Sequence, residues 1–187
     1  MKAVRVLPGV TGIWIFILLD MTFFSVLFLA YVTERSGQVA LFTASQAQLN
    51  VPLGLCNMLV LLTSSWLVAQ AVHGARRGQR RAAGWLLLAA IACAVAFIGI
   101  KAFEYSEEFS RGITPLTNGF FMLYFSLTFF HVLHVLVGCA VLAVMARNTW
   151  QGAYGVGRTS GLETGATYWH MVDLLWIMLF PLLYLAK

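Results

Sequence analysis

Five ionisable side chains lie among almost nothing but apolar neighbours: Asp20, His131, His134, His170 and Asp173. Asp20 sits near the middle of Gly12 to Tyr31, GIWIFILLDMTFFSVLFLAY, a run of about 20 residues and so long enough to cross a bilayer as one helix. A carboxylate at that depth costs a few kcal/mol on insertion scales, so it must be shielded, paired or protonated. Beside an imidazole it could share a proton or form an ion pair. A file of such groups could carry protons, two imidazoles on facing helices could hold haem iron, and three or four clustered ligands could hold copper or zinc.

Depth sorts these chemistries. With a helical rise of about 1.5 Å per residue, Asp20 lies roughly 14 Å from the inner edge of its span, and His134, counted back from Met145, roughly 16 Å. The two share a level, which makes either a satisfied structural contact or a proton-transfer pair. His131 lies a turn further out. Translocation needs more ionisable groups in sequence across the membrane, and the outer half of every span is read as lacking them. His131 and His134 share a helix and cannot clamp one iron, while His170, only about 6 Å inside its edge by the same rise, does not match their level. Haem, copper and zinc are therefore disfavoured. His170 and Asp173, three apart on one face, suggest a carboxylate that orients an imidazole, for proton collection or for structure. Glu163, just before that helix, would sit at its N-terminus, where negative charge is favoured.

The elements that must position these groups are five membrane spans. Hydrophobic residues make up 60% of the 187 and charged ones 10%, well under half the share in a soluble domain, so the fold class expected is an all-α integral membrane bundle. The spans read as 11–31, 52–71, 84–103, 119–145 and 165–186, in a single domain covering 1–187. The first, introduced by Pro8 and Gly9, is read as a retained span, since the run is too long for a signal peptide and lacks a small-x-small cleavage site. The segment 33–50 is read as a polar crossing of the outer surface. Four arginines, Arg76, Arg77, Arg80 and Arg81, anchor the turn after the second span. Ala89, Ala92, Ala96 and Gly99 form a small-residue face that would let helices approach closely. Lys101 and Glu104 can pair at the outer end of that helix. Cys56, Cys93 and Cys139 fall in separate apolar runs and imply neither a disulfide nor a metal framework.

The net charge of +5 is a matter of topology rather than of nucleic acid. With the N-terminus in the cytoplasm, the inner segments hold eight basic residues, Lys2, Arg5, the four arginines, Arg147 and Arg158, against four outside, Arg35, Lys101, Arg111 and Lys187. The positive-inside rule then puts the C-terminus outside. Trp14, Trp85, Trp150 and Trp169 fit the inner interfacial belt, and Tyr31, Tyr105 and Tyr184 the outer one.

The segments GIWIFILLDMTFF, LNVPLGLCNMLVLLTSS, KAFEYSEEF, FFHVLHVLVG and ETGATYWHMVDLLW, in this order on successive spans, resemble the subunit III family of haem–copper oxidases. The YWHxVDxxW and HxxHV patterns are the specific ones, and the likeness covers nearly the whole chain. The short five-helix form is similar to the NorE-type branch associated with nitric-oxide reductase, and Asp20 stands where the family usually has glutamate. The resemblance implies an accessory subunit in a bacterial cytoplasmic membrane that binds no redox cofactor. Haem and copper would lie in partner subunits, with catalytic subunit I as neighbour. Phospholipid would occupy a cleft with spans one and two on one side and three to five on the other. The family's carbodiimide-reactive carboxylate, associated with sustained proton uptake by the partner, maps to Asp20; Glu104, His131, His134, Trp169, His170 and Asp173 also match its motifs. Trp169 and Trp66 are the candidates for interface or lipid cleft. The competing readings are a stand-alone proton conductor centred on Asp20 and His134, and a small haem-b carrier.

Overall fold

The computed structural model describes residues 11–154 and 158–186. Lys2, Arg5, the Pro8–Gly9 introduction to the first span and Lys187 lie outside the described residues. The helices are α1 (Thr11–Gly37), α2 (Val39–Gln46), α3 (Val51–Arg76), α4 (Arg80–Ser110), α5 (Gly119–Trp150) and α6 (Ser160–Phe180), the last continuing into a π-helical turn at Pro181–Leu185. All but α2 are long and apolar enough to cross a membrane. Their starts follow local chemistry. Asn50 caps α3, its side-chain oxygen accepting from the Leu53 N–H, with Pro52 in the first turn; Asn118 does the same for α5 through Phe121. Gly78 takes a φ of +77°, which lets α3 reverse into α4 within three residues. The two ends of the bundle are called below the arginine end, where this turn lies, and the opposite end.

The elements overrun the expected spans. α4 continues seven residues past 103, α5 five past 145, and α6 starts five before 165. The segment 33–50 is not an irregular crossing, because α1 runs to Gly37 and α2 folds back over the bundle. Phe42 of α2 is fully buried against Tyr31 and Phe120, at ring separations of 5.4 and 5.5 Å. Gln46 fixes this cap: its amide nitrogen lies 3.2 Å from the Tyr31 hydroxyl and from the carbonyls of Leu182 and Leu183, in the turn where Pro181 disrupts the helix ladder. Side-chain hydrogen bonds in membrane proteins average under 1 kcal/mol each, so Gln46→Ala is expected to cost roughly 1–2 kcal/mol. Differential proteolysis of the opposite end should detect the loosening. Protection equal to the parent's would count against the tie.

Helices α3, α4, α5 and α6 pack into one unit, α3 antiparallel to α4, with α6 bordered by α3 and α5. On α4 the buried face is Ala83, Leu87, Ala90, Ala94, Phe97, Lys101, Glu104 and Glu108, at helical spacing. Ala89, Ala92, Ala96 and Gly99 lie on the other face and are exposed, so the close approach of α4 to its neighbours uses a different set of small residues. α1 stands apart. It meets α5 and α6 through one side, with Ile13, Ile17, Asp20, Phe24 and Tyr31 along its middle and Phe16 and Phe23 at its edge against Tyr168 and Phe130, and most of its remaining surface is exposed. The division of the bundle therefore falls between the first span and the other four. The second span belongs with the third and fifth, which corrects the expected cleft boundary.

Candidate functional site

Asp20 projects from the inward stripe of α1 onto α5, where its Oδ1 lies 2.8 Å from His134 Nε2. His134 Nδ1 lies 2.7 Å from the Phe130 carbonyl, which can only accept, so this nitrogen carries a proton. One proton then remains for the Nε2–Oδ1 contact, and wherever it resides the pair as a whole is neutral. That is what a carboxylate needs to stay inside a bilayer. Phe24 closes over the imidazole edge-on at 5.4 Å, and the Tyr168 hydroxyl donates to the His134 carbonyl at 3.2 Å. Asp20→Asn keeps a donor for a neutral His134, so it should leave thermal stability near the parent's while abolishing carbodiimide labelling. Asp20→Leu leaves the imidazole unpaired and should cost about 1–3 kcal/mol. If the asparagine variant melts as early as the leucine one, the carboxylate itself is required.

Toward the arginine end from this pair, a cavity of about 540 Å³ runs between α1, α5 and α6. Its walls are apolar, with Ile13, Phe16, Val141, Met145, Gly165 and Tyr168 among them. Trp66 is largely exposed on α3, away from this groove. Trp169, by contrast, is completely buried, with its ring over Gly138, where a Cβ would lie 2.5 Å from Cζ3. It therefore faces neither lipid nor a partner. The cause is the early start of α6, which carries Trp169 about 14 Å inside the helix rather than to its rim.

The same shift puts His170 deeper than its assumed edge implied. Its Nδ1 lies 2.5 Å from Ser65 Oγ on α3, so Ser65, rather than Asp173, orients the imidazole. Asp173 is buried one turn further along, and its Oδ1 has no hydrogen-bond partner among the described residues. Glu163, in the first turn of α6, accepts from Arg76 at 2.9 Å and from Thr159 at 2.6 Å, bracing α3 against α6 at the arginine end.

The opposite half of the bundle is not free of ionisable groups. Lys101 is 1% exposed and Glu104 2%. Lys101 Nζ donates to Glu104 Oε2 at 2.8 Å, to the Tyr124 hydroxyl at 3.0 Å and to the Tyr184 hydroxyl at 3.2 Å, which occupies all three ammonium protons. Tyr184 donates in turn to Glu104 Oε1 at 2.7 Å, and the ammonium lies 5.4 Å from the Trp176 ring centroid. Sequence reasoning found the pair but missed its burial and both tyrosines. The signal was present: positions 94, 97, 101, 104 and 108 continue one helical stripe. His131 is fully buried between Phe97 and Trp176, at ring separations of 5.5 and 5.1 Å.

Among the described residues no three His, Cys, Asp or Glu side chains converge as metal ligands. The ionisable groups that the sequence singled out in the spans fall in four places: Asp20 with His134, His131 between Phe97 and Trp176, His170 a turn from Asp173, and Glu104 with Lys101.

The comparisons with known proteins agree on one lineage. Cytochrome c oxidase subunit 3 of Thermostichus vulcanus is 30% identical over 181 residues, 94% of this chain and 86% of that protein. The Synechocystis sp. protein of the same name is 31% identical, covering 93% and 74%. A probable quinol oxidase subunit 3 from Staphylococcus haemolyticus is 24% identical, covering 93% and 87%. The sequence profile of cytochrome c oxidase subunit III matches residues 2–186, and with it the five spans and their paired charges find their place: the chain belongs to the cytochrome c oxidase subunit III family.

Proposed function

We infer that this chain is a non-redox accessory subunit of a membrane-bound haem–copper oxidase. Family membership supports the role. The observation that carries it furthest is the Asp20–His134 contact, a strap between α1 and α5 in which His134 Nε2 is taken by Asp20 Oδ1 and Nδ1 by the Phe130 carbonyl. His134 is thereby withdrawn from metal ligation, and His131 on the same helix faces Phe97 and Trp176 instead. Haem and copper would reside in the catalytic subunit, subunit I, as neighbour. The bacterial cytoplasmic membrane, with the N-terminus on the cytoplasmic side, fits the excess of arginine at one end of the bundle. A phospholipid acyl chain fits the apolar groove between α1, α5 and α6, and the bound lipid would secure α1 and the environment in which the partner takes up protons. The stand-alone proton conductor is disfavoured by the family relationship.

Purification from native membranes in mild detergent, followed by mass spectrometry and difference spectroscopy, tests this reading. The expected result is equal amounts of this chain and a catalytic subunit, with haem absorbance in the complex and none in the separated chain. A nitric-oxide reductase as the sole companion would move it to the NorE-type branch, to which the aspartate at position 20 is also suited. Stoichiometric haem on the separated chain, or proton flux in liposomes containing it alone and lost in Asp20→Asn, would overturn the assignment.

A further inference from the structure

Of the eleven buried side-chain atoms without a hydrogen-bond partner among the described residues, nine belong to the α3–α6 unit; apart from Trp169 Nε1, whose ring lies over Gly138, they are on five residues: both amide atoms of Asn57, both ring nitrogens of His131, both carboxylate oxygens of Glu108, Asp173 Oδ1 and Trp176 Nε1. Glu108 lies beyond the Lys101–Glu104 pair, toward the end of α4. The other four residues lie at neighbouring levels of the bundle. Asp173 and Trp176 are a turn apart on the same face of α6. The His131 ring is 5.1 Å from that of Trp176. Asn57 lies on α3 between the level of Gly54, whose added Cβ would meet Phe180 at 3.0 Å, and that of Ser65, which bonds His170. Asn57 and His131 are wholly buried, and Asp173 is 5% exposed. Such atoms in native proteins are almost always satisfied, and six left bare within two turns would consume a large part of a fold's net stability.

The identity of these atoms selects their partner. Trp176 Nε1 and Asn57 Nδ2 only donate, Asp173 Oδ1 and Asn57 Oδ1 accept, and the His131 imidazole offers one of each. A metal cation cannot bind the donors and an anion cannot bind the carboxylate. The ligand must be small and must both donate and accept. We propose that the core between α3, α5 and α6 is a hydration site, in which ordered water is held by Asn57, His131, Asp173 and Trp176. Its supply is the arginine end, where a cavity of about 220 Å³ is lined by Glu163, Thr167 and His170, one turn short of Asp173. At the other end Lys101, with its three protons committed and its charge against Trp176, bounds the water-filled region. This site is separate from the Asp20–His134 pair and stands whether or not the partner is an oxidase.

Synchrotron radiolysis of the full chain in its native complex, in isotopically labelled water, tests it, because water bound in the core generates radicals beside the residues that hold it. Trp176 and His131 are expected to take up the label several-fold faster than Tyr31 and Phe42, which are equally buried but lie outside the region. In Asn57→Leu, which removes two of the holding atoms at similar volume, labelling of Trp176 should fall several-fold. Trp176 and His131 as inert as Tyr31 in the parent would overturn the proposal, and so would a folded Asn57→Leu with undiminished labelling.

Discussion

Lys101→Met is expected to destabilise the chain by about 3–5 kcal/mol, the usual cost of removing one partner from a buried ion pair. The side chain is 1% exposed, so no solvent screens the change. Glu104 would lose its cation, and the hydroxyls of Tyr124 and Tyr184 would lose a donor within 3.2 Å. Glu108, buried one turn further along α4, would be left near Glu104 without the ammonium that offsets their charge. Methionine fills most of the vacated volume, so the loss is one of charge and hydrogen bonding, not packing. Thermal unfolding of the purified chain in detergent should show the drop. Adding Glu104→Gln, which removes the stranded charge and keeps an acceptor for Tyr184, should recover much of it. If Lys101→Met unfolds no earlier than the parent, the cluster is not what holds α4, α5 and the end of α6 together.

The second large effect is steric. Gly138→Val should separate α5 from α6, because a Cβ at this position would lie 2.5 Å from Trp169 Cζ3 and 2.6 Å from Cε3. Trp169 is fully buried and has no open space to turn into. Overpacking typically costs about 1–3 kcal/mol, and a branched side chain against an indole belongs at the upper end. The displacement would also be felt at His134, one turn away on α5, and so at the contact that secures α1. Loss of carbodiimide labelling at Asp20, together with earlier unfolding, is the expected joint signature. Trp169→Leu in the same chain should restore both. A variant that unfolds early but keeps its labelling would separate the α5–α6 contact from the attachment of α1.

What the sequence disclosed and what it hid follow from the kind of evidence each residue leaves. The five spans are visible because lipid demands long apolar runs, and Asp20 and His134 fall at one level because depth was counted from where hydropathy changes. Counting from the helix ends would have missed it, since α5 overruns Met145 by five residues. The same habit failed on α6: its first turns are rich in glycine, serine and threonine and read as loop, so Trp169 and His170 were set too near the rim. Direction was harder than depth. The small residues of α4 lie on both sides of the helix, and only contact with α3 and α5 decides which side is used. The tyrosines around Lys101 come from α5 and from the turn after α6, 23 and 83 residues away, a convergence that no local pattern records.

The attachment of α1 bears on how the molecule is made. It is the first of the described spans to leave the ribosome, yet the surfaces it rests on belong to α5 and α6, the last to arrive. Until the fourth span is in place, no imidazole is available to Asp20, and the newborn helix must wait in lipid, or in the care of the insertion machinery, with its acid unanswered. Closure of the bundle is thus a late event that joins the two ends of the synthesis. A chain halted after α4 would hold its first helix loosely, ready for removal.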